Sequence, residues 1–386
     1  MVLDSDIIIA GGSFSGLLCA KELSSKGLQT KVLEEHSKIG YPDKCSGVVS
    51  LASLNHLGLF PFKKFLQNRF SKIMLHSPND SRIVINLNDP NILIIDRCNL
   101  DNYLAEEAIK SGAELKLSKY VDGILQDFSS VKVKIRDGEI FRSKYLIDAR
   151  GVASFPNKKL LLKGIQARGF YKGYESDCIH VFLDEKFAPG FFSWIIPINE
   201  YICKVGLATK TYPIECFKTF LDKVKIKQFF NLNPAPIIVN GPIEHFINNK
   251  VLYVGDSAGQ TKPTTGGGIY FGGAASILAS RALLHNFDEN NSLISKYERA
   301  WFKTFKREIE YMKLARSYYE KMKNNDIEHL FNLIKKTYSD EITFEIDYDF
   351  HISSLIKSIG IKSILSITKT IFDESITSSL KNILKL

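Results

Sequence analysis

A chain of 386 residues, 45% hydrophobic and 24% charged, is long enough for two intimately packed domains and has the balance of an ordinary globular protein. Its net charge of +9 suits nucleic acid, an anionic membrane surface or an acidic substrate, but no zinc-finger, RNP-like or helix-turn-helix signature accompanies it, so no nucleic-acid partner is expected. The six cysteines lack a CxxC pair and metal-ligand spacing, and no apolar run of 18 residues marks a membrane span, which argues against a metal centre and an integral membrane protein.

In chain order, Ile7-Ile8-Ile9-Ala10 is an apolar run suited to a buried parallel strand. Gly11 to Gly16 reads as a turn and Leu17 to Lys26 as a helix stopped by Gly27. Lys31-Val32-Leu33 is a second strand ending at Glu34. From Ile73 to Ile95, short strands alternate with Pro, Asn and Asp turns, and a helix over Leu100–Ser111 ends at Gly112. Strands near Val131–Ile135 and Tyr145–Ile147 lead into Asp148-Ala149-Arg150-Gly151, and Ile165 to Ala208 is strand-rich, implying a mostly antiparallel sheet. Thr264 to Ser280 is uncharged but rich in Gly, Ser and Thr, and reads as a buried loop and helix. From about Leu293 the chain reads as helical. The expected fold class is α/β (α+β overall). A Rossmann-like dinucleotide-binding domain from residues 1–72, 96–160 and 245–290 is interleaved with an antiparallel-sheet substrate domain from 73–95 and 161–244. A C-terminal helical region spans 291–386.

The chemistry begins at the first turn. Binding a dinucleotide needs backbone N–H groups at a helix N-terminus, with no side chain blocking the pyrophosphate. Gly11 and Gly16 fit the first and third glycines of G-x-G-x-x-G; Ser13 takes the second place, small enough to fit and able to donate to a phosphate. Glu34, about 20 residues on, suits ribose hydroxyls and disfavours a 2′-phosphate. Gly255-Asp256 follows the apolar strand Val251–Val254, so Asp256 stands at a strand mouth where it suits a ribityl hydroxyl of FAD. The run Gly266-Gly267-Gly268-Ile269 lets backbone amides approach the cofactor. Arg97, at the start of a helix, can pair with phosphate or form a surface salt bridge with Asp96 or Asp101.

Taken together these segments resemble the geranylgeranyl reductase family of the p-hydroxybenzoate hydroxylase-like flavoproteins, over roughly residues 5 to 310. The resemblance rests on the GGSFSG turn with Glu34, Gly40-Tyr41-Pro42-Asp43-Lys44-Cys45-Ser46-Gly47, Asp96 to Asp101, Asp148 to Gly151, Ala188-Pro189-Gly190 and Gly255 to Ala258. It implies FAD contacts at Ser15, Glu34, Cys45, Ser46, Gly47, Arg97, Val121, Asp256, Gly268 and Ile269. The family's substrate-side signature is similar to Phe192-Ser193-Trp194-Ile195-Ile196-Pro197 followed by Gly206. Phe192, Ile196 and Ala208 stand where the family usually has Tyr, Phe and a second Gly. Phe192, Trp194, Ile196, Pro197 and Gly206 are thereby candidate substrate residues, Trp194 and its neighbours serving either as a wall for a prenyl chain or as ordinary sheet core. Cys45 is the candidate catalytic residue, at the flavin face or as proton donor, with a buried packing thiol as the alternative.

The implied activity is FAD-dependent saturation of carbon–carbon double bonds in geranylgeranyl chains of membrane lipids or their precursors. The electron donor would be an NAD(P)H system or ferredoxin. The same features leave open a reductase of a quinone's prenyl tail, a flavin hydroxylase or halogenase, and a non-enzymatic flavin electron-transfer or regulatory protein. Asp4 and Asp6 stand where a signal peptide needs basic then apolar residues. The basic helical stretch Tyr297–Lys323 and the amphipathic segment His351–Leu386 suit either packing on the domain or an anionic bilayer. The expected setting is therefore cytoplasmic and peripheral to the membrane.

Overall fold

Ile7, Ile8 and Ile9 are each 0% exposed because their strand is the centre of a sheet covered on both faces. The computed structural model describes residues 3–60, 62–87, 91–234, 236–285, 295–344 and 347–360. The first unit is β1 (Ser5–Ala10), α1 (Phe14–Ser24) and β2 (Thr30–Leu33). Then come β3 (Val48–Ser50), α2 (Leu51–His56), β4 (Leu66–Phe70), β5 (Lys72–His76), β6 (Arg82–Leu87) and β7 (Ile92–Ile95). The chain returns through α3 (Arg97–Lys110), β8 (Glu114–Lys116), β9 (Val121–Gln126), β10 (Val131–Ile135) and β11 (Ile140–Asp148). Next are β12 (Lys163–Phe170), β13 (Ile179–Phe182), β14 (Ser193–Pro197), β15 (Ile202–Thr209), α4 (Pro213–Val224) and β16 (Phe229–Pro234). The last elements are β17 (Ile247–Asn248), β18 (Val251–Tyr253), α5 (Ile269–Leu284), α6 (Ser295–Tyr319), α7 (Asn324–Thr337), β19 (Glu341–Phe344) and α8 (His351–Ile359).

The first sheet has the order β17-β18-β11-β1-β2-β8, with β9 and β10 as an antiparallel hairpin off β11. β18, β11, β1, β2 and β8 are parallel. Side-chain alternation divides its core: Ile7 and Ile9 pack with the helical side, Ile8 with the hairpin side beside Val133. From β1 the chain proceeds to β2 on one side, whereas β11 joins on the other. The strand order therefore reverses between β1 and β11, and ligand crevices open at the carboxyl ends of such strands.

The second sheet, β16-β12-β15-β14-β13-β5-β6-β19, supplies the other wall of that crevice. It is antiparallel except at β13·β5 and β6·β19, both junctions between segments far apart in sequence. The sequence expectations need correction in three places. Ile92–Ile95 belongs not to this sheet but to a three-stranded one, β3-β7-β4, where all four side chains are buried. β19 is a strand inside the stretch read as wholly helical; it adds to the edge of β6. β8, three residues with two of them charged, and β9, whose apolar residues are split by Asp122 and Gly123, are further strands that the sequence reading did not anticipate. The aromatic stretch from Tyr297 is core packing: Tyr297, Trp301 and Phe305 of α6 are at most 1% exposed, beneath Phe246 and Phe271. Residues 361–386, the greater part of the amphipathic C-terminal segment, lie outside the described residues. No described helix is long and apolar enough to cross a membrane.

Candidate functional site

The first turn is shaped by close backbone approach. Gly11 has φ +109°, and a Cβ there would lie 2.4 Å from the Ala149 carbonyl oxygen; at Gly16 it would lie 2.0 Å from Gly11 O. These two glycines let β1 run against β11 and turn directly into α1. Gly12 N–H donates to Glu34 Oε2 at 2.6 Å, and Glu34 Oε1 accepts from His36 N at 2.9 Å, which fixes the carboxylate at the end of β2. No side chain caps α1, so its first amides remain available to an anion. Ser13 differs from expectation. Its hydroxyl donates to Asp101 Oδ2 at 2.8 Å and accepts from Arg97 Nη2 at 3.1 Å, so it is already committed within the protein rather than held for a phosphate.

Arg97 opens α3 and is paired with Asp101, Nε to Oδ1 at 3.1 Å and Nη2 to Oδ2 at 3.2 Å. The pair is not at the surface: the two side chains are 16% and 4% exposed. Burial acts to lower the Arg97 pKa, but the Asp101 carboxylate and the Cys45 side chain outweigh it and hold the guanidinium charged. Asp96 instead caps α3 through Asn99 N. Behind Arg97 runs the Cys45-Ser46-Gly47 loop. Gly47 has φ +76°, and a Cβ there would lie 2.1 Å from Ile95 O; its N–H donates to Cys45 Sγ at 3.3 Å. Lys204 of β15, 1% exposed, donates to Ser46 O at 2.9 Å and Cys45 O at 3.3 Å. Burial pushes its pKa down. Sequence reasoning missed Lys204, although a lysine inside the apolar run Ile202–Thr209 was the available signal.

Asp256 stands just beyond β18. Burial raises its pKa above the usual carboxylate range, partly opposed by Arg97. Ser15 Oγ packs between Gly255 and Gly272, where Cβ atoms would approach it to 2.6 and 3.0 Å. Gly268 begins α5, again with no side-chain cap, and a Cβ there would sit 3.1 Å from Asp256 Oδ1. Two uncapped helix starts, the Glu34 and Asp256 carboxylates and the Arg97 cation thus share one cavity of about 770 Å³. Anion-binding amides and hydroxyl-accepting carboxylates are the donor set that the pyrophosphate and polyol parts of FAD require, and the glycines leave the cradle clear. Gly11, Ser13, Ser15, Glu34, Cys45, Ser46 and Arg97 line it, as do Val121, Asp256, Gly267, Gly268 and Ile269. Gly16, Gly47 and Gly255 are not in the wall; their place is in the packing behind it.

The far half of the cavity is apolar for a periodic reason. Ile73 and Leu75, Ile85 and Leu87, Ile179 and Val181, Trp194 and Ile196 are i, i+2 pairs on four neighbouring strands, all lining the cavity. The register aligns Ile85, Ile73 and Ile179 in one row across β6, β5 and β13. Phe192 completes this wall, stacked on Phe191 at 4.2 Å. Two expectations are corrected here. Gly206 does not line the cavity: it lies beneath Trp194, and a Cβ there would meet the indole Cζ2 at 2.5 Å. That vacancy lets Trp194 Nε1 donate to Gln166 Oε1 at 3.1 Å. Pro197 ends β14, and its carbonyl accepts from Asn68 Nδ2 at 3.1 Å; it too is outside the wall.

A last side of the cavity was not foreseen. Tyr348, His351, Ile352 and Leu355 line it from the start of α8. Asp349 holds them: its Oδ1 is 3.0 Å from Lys262 Nζ, and its Oδ2 accepts from the hydroxyls of Ser50 at 2.8 Å and Ser53 at 2.5 Å. His351 Nε2 is 2.8 Å from Thr264 Oγ1, and burial pushes its pKa down to about 3. Glu308 of α6 accepts from Ile352 N at 3.0 Å, satisfying the first amides of α8.

The FAD binding domain family matches residues 4–202, which span the first turn, the Arg97 helix and the apolar strands. The chain belongs to this family. It is an FAD-dependent oxidoreductase. It is 25% identical over 359 residues, 85% of this chain and 90% of the relative, to digeranylgeranylglycerophospholipid reductase 2 of Methanopyrus kandleri. It is 28% identical over 359 residues, 84% and 89% of the two chains, to digeranylgeranylglycerophospholipid reductase of Methanocaldococcus jannaschii. A solved geranylgeranyl bacteriochlorophyll reductase-like protein from Thermoplasma acidophilum has the same fold, with a TM-score of 0.84 at 19% identity over 95% of this chain and 99% of that one.

Proposed function

We propose that the protein saturates carbon–carbon double bonds in the polyprenyl chain of a membrane lipid or its precursor. The observation that carries this reading is the continuous aliphatic and aromatic wall, from Ile85 across to Trp194, within the same cavity as the FAD cradle. A small polar acid would find no partner on that wall, whereas a branched hydrocarbon matches it along its length. The named activities of the Methanopyrus and Methanocaldococcus relatives support the same reading.

When bound and reduced by the electron donor, the flavin would supply the hydride, and the protein the geometry. In this reading Glu34, the α1 amides, Arg97 and Asp256 hold the dinucleotide, while Phe192, Trp194 and Ile196 orient the alkene and exclude water. Cys45 lines the cavity beside Arg97 and is the proposed proton donor; electrons come from an NAD(P)H system or ferredoxin. The test is mass spectrometry of digeranylgeranylglycerol lipid and of a prenyl quinone, each incubated with dithionite-reduced protein. A gain of two hydrogens per double bond in the lipid is expected. Unchanged lipid would refute the proposal, and reduction confined to the quinone would reassign the substrate.

A further inference from the structure

β16 is an edge strand whose face-on appearance is unusual. Phe229, Phe230 and Leu232 are 43%, 38% and 45% exposed, and the adjoining Phe170 of β12 is 49% exposed. Phe170 and Phe230 are in ring contact, 5.8 Å between centroids, so these two rings form one apolar strip, while Phe229 turns to the other face of the strand against Phe217 of α4. Soluble proteins usually blunt such an edge with charge or cover it.

The charge of the two segments that form this edge is one-sided, although the neighbouring α4 presents the exposed acids Glu215 and Asp222. Residues 151–174, which include β12, contain five basic residues and no acidic one. Residues 223–243, which include β16, contain three and none. The two segments together carry eight of the chain's nine net positive charges. Arg168 pairs with Asp43 and Lys223 with Asp80. Lys158, Lys159, Lys163, Lys172, Lys225 and Lys227 are exposed, and none of them has an ion-pair partner among the described residues.

The strip also adjoins an entrance to the cavity. Tyr41, Lys44 and Pro236 are each exposed and each line the cavity, which places a mouth between the loop that carries Cys45 and the end of β16. Asn233 of β16 bridges that mouth, its Nδ2 donating to Asp43 O at 3.2 Å.

We infer that the β12–β16 edge is a docking surface for an anionic phospholipid bilayer, which would bring the cavity mouth to the membrane. Aromatic side chains enter the headgroup boundary while lysines meet phosphates around them. A second copy of the chain is disfavoured, because the same positive face would meet itself. The inference takes its purpose from the prenyl-lipid reading, but docking is measured without any prenyl lipid, so the two stand or fall separately.

The experiment is co-sedimentation of the full-length holoprotein with phosphatidylcholine vesicles, with and without phosphatidylglycerol. Binding is expected only when phosphatidylglycerol is present, and it weakens as salt is raised. K225E/K227E and, separately, F230S should each weaken it by about tenfold or more, with bound-flavin absorbance and thermal midpoint unchanged. Wild-type protein that stays in the supernatant, or variants that sediment as wild type does, would overturn the inference. So would binding to a single-stranded oligonucleotide that is stronger than binding to the anionic vesicles and is lost in the same variants.

Discussion

A single missing side chain sets the position of the aromatic wall. Because Gly206 leaves room for the Trp194 indole, Gly206→Val should push the ring off Gln166 and into the cavity. The expected result is a several-fold rise in KM for a prenyl substrate and a loss of about 1–3 kcal/mol of stability, with the flavin content unchanged; steady-state kinetics, denaturant unfolding and flavin absorbance check the three in turn. Arg97 is a different case, since it neutralises Asp101 and faces Asp256. Arg97→Met leaves a carboxylate buried without its cation and should weaken FAD affinity by at least about tenfold, read by titrating apoprotein with FAD. Residues of this kind differ in how they announce themselves. Gly11, Gly16 and Glu34 were legible because a strand, a turn, a helix and a second strand enclose them within one local pattern. The Arg97–Asp101 pair was half legible from its i, i+4 spacing. Lys204 was not, because the carbonyls it holds lie some 160 positions earlier, and no local periodicity encodes that contact. Gly206 was recognised as important for the wrong reason: a motif reveals that a position matters, and only packing reveals that it matters through Trp194.

Between elements, a buried ion pair ties the glycine loop before α5 to the start of α8. The Lys262–Asp349 pair is buried on both sides, at 1% and 4% exposure. Asp349→Ala should cost about 3–5 kcal/mol, because Lys262 is then a buried charge without its partner; denaturant unfolding measures it. The pH dependence follows from three groups. Burial works to raise the Asp349 pKa, but Lys262 and the serine hydroxyls bring it below its ordinary value, so its contribution is present above the usual carboxylate range and lost in stronger acid. Lys262 lies above its ordinary value despite its burial, because of Asp349, so its contribution is lost only in strong base. Of these three, His351 is the group that acts near neutrality. Its folded pKa is pushed from 6.5 to about 3 by burial, so the unfolded chain binds the extra proton. Stability should therefore fall as pH drops below 6.5, by up to about 1.4 kcal/mol per pH unit. A thermal-midpoint profile from pH 8 to pH 4.5, flattened in His351→Gln, would bear this out; an unchanged profile in the variant would count against it. His76, stacked on Phe182 and also lowered to about 3 by burial, adds a second slope of the same sign that the variant retains. None of these ties could be read from the sequence, since α8 and its partners are remote in the chain and β19 is too short and polar to mark the return.

On the scale of the whole molecule, the cavity is where the first sheet, the second sheet and α8 meet. A ligand that filled it would contact all three, so its removal should loosen the assembly rather than one loop. Saturation with FAD at about 100 times its Kd should stabilise the protein by about 2.7 kcal/mol, and an apoprotein prepared by flavin stripping should show a correspondingly lower thermal midpoint. The order of the chain adds a constraint in time. The walls of this cavity run from Gly11 through Asp256 to Leu355, and a ribosome delivers them in that order. The first glycine turn leaves the exit tunnel long before Asp256 exists, and the aliphatic side stays open until α8 has been made. A nascent chain that ends before Asp256 thus carries an unfinished cradle and should not retain FAD, whereas one that extends past Leu355 should.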